Sequence, residues 1–123
     1  MNVINRKSKE VIESTAFKLK HIYVTMEEYR LYFTGGAVCF CELKAGEYVH
    51  FLNDGVEWRF YCNDDPDGFQ LTPIRSKPGL HLTSAGLINM IRKSTGFKTG
   101  RKSFIIEKTG AMHDRCEVFR LEC

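Results

Sequence analysis

Two short segments of the chain share a pattern that limits how it can fold. Leu43-Lys44-Ala45-Gly46 and Phe97-Lys98-Thr99-Gly100 each place an apolar residue before Lys-x-Gly, and a β-rich run follows both. Upstream of these turns, Leu31–Thr34 aligns with Leu80–Thr83, and a short apolar stretch follows each. A repeated order of strand, short helix, turn and hairpin predicts a domain built from two similar units.

The length of the chain, 123 residues, suits one ordinary domain but not two independent cores. We expect a single domain over residues 16–123 that contains the units 29–74 and 79–122, after a flexible tail or short helix over residues 1–15. No apolar run approaches the roughly 18 residues that cross a bilayer, and no apolar segment of signal-peptide length follows the charged N-terminus. The sequence therefore predicts a soluble, cytoplasmic protein without a membrane segment.

Charge is distributed unevenly between the two units. Lys and Arg number 3 against 9 Asp and Glu over residues 27–74, and 10 against 4 over residues 75–123. The first unit is therefore acidic and the second basic. This asymmetry indicates either a basic surface for a polyanion on the second unit, or two halves that are complementary to each other or to a neighbouring chain.

Alternation of apolar and polar residues predicts the strand over 16–25, and strand-like runs predict the others. Asp54-Gly55, between two such runs, is a strong hairpin signal. Within that hairpin we expect Trp58, Phe60 and Cys62 to face the core because they share one parity. The predicted strands cover residues 16–25, 29–34, 47–52, 57–62, 69–74, 80–83, 102–108 and 116–121, with a loop at Gly110 before the last.

One helix is predicted clearly, over residues 84–95. Ser84 can accept a hydrogen bond from the first turn, Leu87 and Ile91 fall on one face, and Gly96 suits a left-handed cap. Residues 37–43 are a second, poorer candidate, since two glycines precede them and their composition favours strands. The expected fold class is thus α+β, a small antiparallel β-rich domain of two strand-helix-hairpin units with one clear helix.

The chain has five cysteines, an odd number, and no secretory signal. Reduced thiols buried as small hydrophobic residues are the expected state. Cys39-x-Cys41 has the wrong spacing for a zinc knuckle or a redox motif. Asn63-x-Asp65-x-Asp67-Gly68 resembles half of a calcium loop, but Ile74 stands where the bidentate Glu would be, so we interpret it as a solvated turn.

Motifs for catalysis are absent from the sequence. Gly-x-Ser-x-Gly, His-Glu-x-x-His, the Walker A loop and the dinucleotide fingerprint do not occur, and the four histidines are scattered. We therefore expect a protein that is not an enzyme and that carries no metal or cofactor.

Cationic side chains cluster in the second unit, where several of them in one region could neutralise phosphate groups. A solubilising surface explains the same residues equally well. In the first unit, Arg59 and Tyr61 on the outward face of the hairpin are candidates for stacking with bases. The candidate phosphate contacts are Arg75, Lys77, Arg92, Lys93, Lys98, Arg101 and Lys102.

The order of elements resembles a known DNA-binding unit. Residues 30–61 and 80–121 each present a strand that ends in Thr, a helix, an apolar-Lys-x-Gly turn and a hairpin, and this resembles the AbrB-like swapped-hairpin unit of bacterial regulators and antitoxins. That family dimerises by exchanging hairpins, so the resemblance implies a covalent pseudo-dimer. The DNA-contacting basic residues of that family lie near the strand and the helix start, whereas Thr34-Gly35-Gly36 and Thr83-Ser84-Ala85 offer none there.

A second resemblance rests on another part of the same order. The hairpin, the strands over 69–74 and 80–83 and the helix over 84–95 are similar to the single-stranded nucleic-acid binders positive cofactor 4, Pur-alpha and Whirly. Both resemblances imply nucleic acid as the partner. The sequence thus predicts a nucleic-acid-binding protein, most directly one that binds DNA in a regulatory role, through its basic second unit. The alternative is a self-assembling or protein-binding module with complementary acidic and basic halves, and hence a homo-oligomer.

Overall fold

Nine antiparallel strands form one sheet in the part of the chain that the structure, a computed structural model, describes: residues 22–55 and 57–122. Together with two helices they make a small, β-rich α+β domain. The predicted tail over 1–15 and most of the predicted strand over 16–25 lie outside the described residues. The strands are β1 (Tyr23–Met26), β2 (Arg30–Thr34), β3 (Tyr48–Asn53), β4 (Trp58–Asn63), β5 (Phe69–Gln70), β6 (Thr72–Pro73), β7 (Gly79–Thr83), β8 (Lys102–His113) and β9 (Cys116–Glu122).

The sheet is nearly closed, because its two edge strands, β5 and β6, follow one another in the sequence. The strand order is β5-β3-β4-β9-β8-β1-β2-β7-β6, so the two edge strands are separated in the sequence by Leu71 alone. The Leu71 N–H donates to the Glu47 carbonyl (2.8 Å), and its carbonyl accepts from the Gly46 N–H (2.9 Å). The single strand predicted over 69–74 is therefore wrong in detail, because two short strands pair there with opposite edges of the sheet.

Side chains that alternate along the strands fill the interior. In β2, Leu31 and Phe33 are fully buried, whereas Arg30, Tyr32 and Thr34, which alternate with them, are exposed or half-buried. The predicted hairpin is confirmed as β3 and β4, with Asn53 opposite Trp58, and the rings of Phe60 and Phe33 meet edge to face at 5.5 Å. Such a core supplies most of the favourable free energy of folding.

Helix α2 (Ala85–Thr95) confirms the predicted helix and its caps. The Ser84 hydroxyl accepts from the Leu87 N–H (3.2 Å), which satisfies a free donor of the first turn. Gly96 ends the helix with φ 77°, and its N–H donates to the Arg92 carbonyl. The face that carries Ile91 is buried, so α2 packs across the end of the sheet at which the β1–β2 turn lies.

A second helix, α1, corrects the prediction of one clear helix. It spans Gly35–Cys41 and begins two residues earlier than the poorer candidate over 37–43. The Thr34 hydroxyl accepts from the Ala37 N–H (3.2 Å), and Ala37 and Cys41 are buried. Capping and burial thus outweigh the weak helix propensity of the glycines.

Strand β8 is longer than predicted and absorbs the loop expected at Gly110. It runs to His113 with an irregularity in register between Lys108 and Met112, and Gly110 adopts φ 75° there. Asp114 and Arg115, both with positive φ, then make the turn into β9. Neither helix of the described part is long and apolar enough to cross a membrane.

The polar loop after β4 is a turn held by its own side chains. The Asn63 side-chain oxygen accepts from the Asp65 N–H (3.0 Å), and a carboxylate oxygen of Asp65 accepts from the Asp67 N–H (3.0 Å). Among residues 22–55 and 57–122, no group of three or more His, Cys, Asp or Glu is placed to hold a metal ion.

The cysteines that are described are free thiols in different surroundings. Cys41 is buried and Cys62 half-buried, as predicted for small hydrophobic residues, whereas Cys39 is exposed on α1. Cys123 lies outside the described residues.

Candidate functional site

Cationic side chains from three separate segments meet in one cleft of about 210 Å³. Arg30 comes from the start of β2, Lys77 from the turn between β6 and β7, and Arg101 from the residue before β8. We call this the basic cleft. Its lining residues are Glu27, Arg30, Tyr32, Ile74, Ser76, Lys77 and Arg101.

Two residues of β2 that point to the same side of the strand, Arg30 and Tyr32, line the basic cleft. Arg30 and Tyr32 point outward because Leu31 and Phe33, which alternate with them along the strand, point into the core. The Tyr32 hydroxyl donates to the Pro78 carbonyl (2.9 Å), which ties the turn that carries Lys77 to the outer face of the strand.

Close packing also fixes the end of that turn. At Gly79, with φ 131°, a Cβ atom would lie 2.5 Å from the Phe33 carbonyl oxygen. Only glycine allows the backbone to approach so closely in this conformation. The lysine of the turn is thereby held over β2.

Electrostatically, the basic cleft carries an excess of positive charge. Arg101 pairs with Glu27 at 3.1 Å, and the arginine side chain remains 67% exposed. A pair this open to water contributes little to stability. Three cations against one carboxylate leave the cleft suited to an anion.

His81 lies beside the basic cleft, on β7. It is directly opposite Tyr32 in the pairing of β2 with β7. Burial, followed by the nearby charge of Arg30, lowers the pKa of His81 below its usual value. The imidazole is therefore neutral at neutral pH, and a bound anion would favour its protonation.

Arg92 has a different environment from that of a free surface cation. Its guanidinium donates to the main-chain carbonyls of Gly100 (2.7 Å), Glu27 (3.2 Å) and Phe97 (3.4 Å). It thus joins α2 to the β1–β2 turn and to the loop before β8. Arg92 therefore has a structural role, because its N–H donors are hydrogen-bonded to main-chain carbonyls.

The remaining predicted phosphate contacts, Arg75, Lys93, Lys98 and Lys102, do not line the basic cleft. Arg75 is exposed in the same turn as Lys77, and Lys98 is exposed in the loop that carries Arg101. The ammonium group of Lys102 lies 5.6 Å above the Phe97 ring. Lys93 is separate, since it lines a groove with Trp58 and Met90 beside the β3–β4 hairpin.

The two residues predicted to stack with bases do not line the basic cleft. Arg59 pairs with Glu57, with 2.5 Å between its Nε and a carboxylate oxygen. The Tyr61 ring is 9% exposed and contacts His50 (5.0 Å between centroids) and His113 (4.7 Å). The Tyr61 ring is thus already in contact with two histidine rings.

Sequence reasoning missed Arg30. It stands in the acidic unit, so counting charge by segment hid it. The available signal was its position at the first residue of a strand whose neighbours, Leu31 and Phe33, are apolar, because that parity turns Arg30 outward.

The chain was compared with known proteins in three ways. Family models, curated proteins and solved structures were each searched, and none matches the chain.

Proposed function

We propose that the protein binds nucleic acid through the basic cleft, with Arg30, Lys77 and Arg101 as its phosphate contacts. The observation that carries this proposal is their convergence from three segments far apart in the sequence. Cations brought together in this way neutralise phosphates and release counterions, which is the main source of affinity for a polyanion. Lys98 and Arg75 extend the same charge beyond the cleft.

We also infer that the domain is a duplicated unit, as its resemblance to the AbrB-like unit implies. Strand, helix and hairpin occur twice, as β2, α1, β3, β4 and as β7, α2, β8, β9. The two Lys-x-Gly turns support this inference, since Gly46 and Gly100 have φ of 89° and 86° and a hairpin begins two residues after each.

The neighbours of each strand support the same inference. β1 pairs with β2 and β8, whereas the β5–β6 segment pairs with β7 and β3. Exchanging β2 with β7, β3 with β8, β4 with β9 and β1 with the β5–β6 segment leaves every neighbour unchanged. Tyr32 and His81, which align in the repeat, face each other across β2 and β7.

Fluorescence anisotropy with labelled single- and double-stranded DNA, repeated across salt concentrations, tests nucleic-acid binding. Lys77→Glu and Arg101→Glu should each lower the affinity about tenfold and reduce its salt dependence. The matched control is Lys44→Glu, an exposed lysine in the first Lys-x-Gly turn. Undetectable binding at low salt, or equal loss in the control, would refute the proposal.

The second candidate function is self-assembly through complementary charges. Three exposed carboxylates in the loop after β4, Asp64, Asp65 and Asp67, favour it, because they could meet the basic cleft of another copy. Light scattering without nucleic acid distinguishes the two functions, since assembly of this kind dissociates as salt rises. Under either proposal the protein is a cytoplasmic binding protein, not an enzyme.

A further inference from the structure

A second cleft adjoins the basic cleft at the β1–β2 turn. It has about 310 Å³, at the lower end of the roughly 300–1,000 Å³ typical of small-molecule sites. Its lining residues include Glu27, Glu28 and Tyr29, and Tyr29 is 61% exposed. Glu27 and Arg30 line both clefts, so the two are direct neighbours.

The turn that carries Tyr29 is fixed at several points. The Ser84 N–H donates to the Tyr29 carbonyl (2.9 Å), and the Glu27 N–H donates to the Arg30 carbonyl (2.9 Å). The Arg92 guanidinium donates to the Glu27 carbonyl (3.2 Å). An exposed ring on a backbone held this firmly is presented at little further cost in conformational entropy.

The chemistry of the two clefts differs. Carboxylates repel phosphate but accept hydrogen bonds from amino groups, and the ring of Tyr29 offers a face for stacking. The basic cleft next to it has the opposite preference. A ligand that fills both therefore carries an aromatic group with N–H donors at one end and a phosphate at the other.

We propose that the pair of clefts binds one unpaired nucleotide with an amino-bearing base. The base stacks on Tyr29 and donates to Glu28, while its phosphate lies between Arg30, Lys77 and Arg101. Cytosine fits, because its amino group donates to carboxylates, whereas thymine presents an acceptor at the equivalent position. This inference rests on the proposed nucleic-acid binding and specifies a single strand.

Anisotropy with labelled homopolymers of deoxycytidine and thymidine, and with a duplex of the same length, tests this inference. We expect the deoxycytidine strand to bind most tightly. Tyr29→Ala should lower its affinity about tenfold, whereas Tyr29→Phe should keep it. The matched control is Met90→Ala, which removes a side chain of the same 61% exposure from α2.

Glu28→Gln supplies a second readout. Removing a negative charge raises the affinity for every strand, but the amide no longer favours an amino donor, so the ratio between deoxycytidine and thymidine strands should fall toward one. Competition by deoxycytidine monophosphate would show that a free nucleotide also fits. Failure to compete, with strand binding intact, would identify the oligonucleotide as the ligand.

The results separate this inference from the proposed function. Salt-dependent binding with equal affinity for both homopolymers, and with no more effect from Tyr29→Ala than from Met90→Ala, would overturn the inference and leave the proposed function standing. Tighter binding of the duplex would also overturn it. Absence of any binding at low salt would overturn both.

Discussion

Individual residues of this protein owe their chemistry to their immediate neighbours. Arg30 and Arg92 are both arginines close to the β1–β2 turn, yet one lines an open cleft and the other donates to three main-chain carbonyls. Charge alone therefore does not identify a ligand contact. What distinguishes the two is whether the donors are already occupied.

The pKa of His81 gives a prediction at this scale. Because burial and Arg30 lower it in the folded state, the folded protein binds fewer protons than the unfolded chain as the pH falls below about 6.5. The contribution of His81 is thus complete above that pH and decreases below it. Urea denaturation between about pH 7.5 and 5.5 should show a smaller loss of stability in His81→Gln than in the wild type. Equal losses would contradict this.

The thiols give a second prediction. Burial raises the pKa of Cys62 to about 12, so almost no reactive thiolate is present near neutral pH. The pKa of Cys41 is also raised, again mainly by burial. Alkylation of the native protein, mapped by mass spectrometry, should modify the exposed Cys39 well before Cys41 and Cys62. Labelling of Cys62 at the rate of Cys39 would show that β4 is open to solvent.

At the scale of elements, the two Lys-x-Gly turns are alike in backbone conformation, whereas the two helices differ in length. The hairpins follow glycines of nearly identical φ, whereas α1 has 7 residues and α2 has 11. The buried residues of α2 are Leu87, Ile88 and Ile91, whereas those of α1 are Ala37 and Cys41. The turns are constrained by backbone conformation and the helices by what they cover.

Glycine substitutions test the matched turns. Gly46→Ala and Gly100→Ala should each lower the free energy of unfolding by about 1–2 kcal/mol, because a side chain is strained at that φ although the space around it is open. Gly86→Ala, exposed within α2, should instead raise it by about 0.5–1 kcal/mol. Urea denaturation measures all three. A gain in stability at either turn would show that its glycine is not required.

The whole molecule depends on closure of the sheet. Leu71 is 1% exposed and connects the two edge strands, β5 and β6. We expect Leu71→Ala to cost about 2–5 kcal/mol of unfolding free energy. Thr72→Ala, at an exposed position of β6, should change it by less than about 0.5 kcal/mol. Similar small effects in both variants would mean that the edges hold together without this residue.

Local signals in the sequence determined the parts of the fold that depend on a few adjacent residues. Asp54-Gly55 specified the hairpin, Ser84 and Gly96 specified the ends of α2, and shared parity placed Trp58 and Phe60 on the buried side of β4. Each of these features arises from hydrogen bonds or burial within one element. They were therefore readable without the tertiary structure.

The tertiary structure alone decided where the edges meet and which cations share a cleft. Arg30, Lys77 and Arg101 belong to three segments, and Leu71 pairs with Gly46 and Glu47 through the backbone. The identity of these residues does not predict such contacts. The contacts depend on the order of the strands and on the path of a turn across the sheet. The sequence thus determined the elements that have clear local signals and the sign of the charge, whereas packing decided which cations share the cleft.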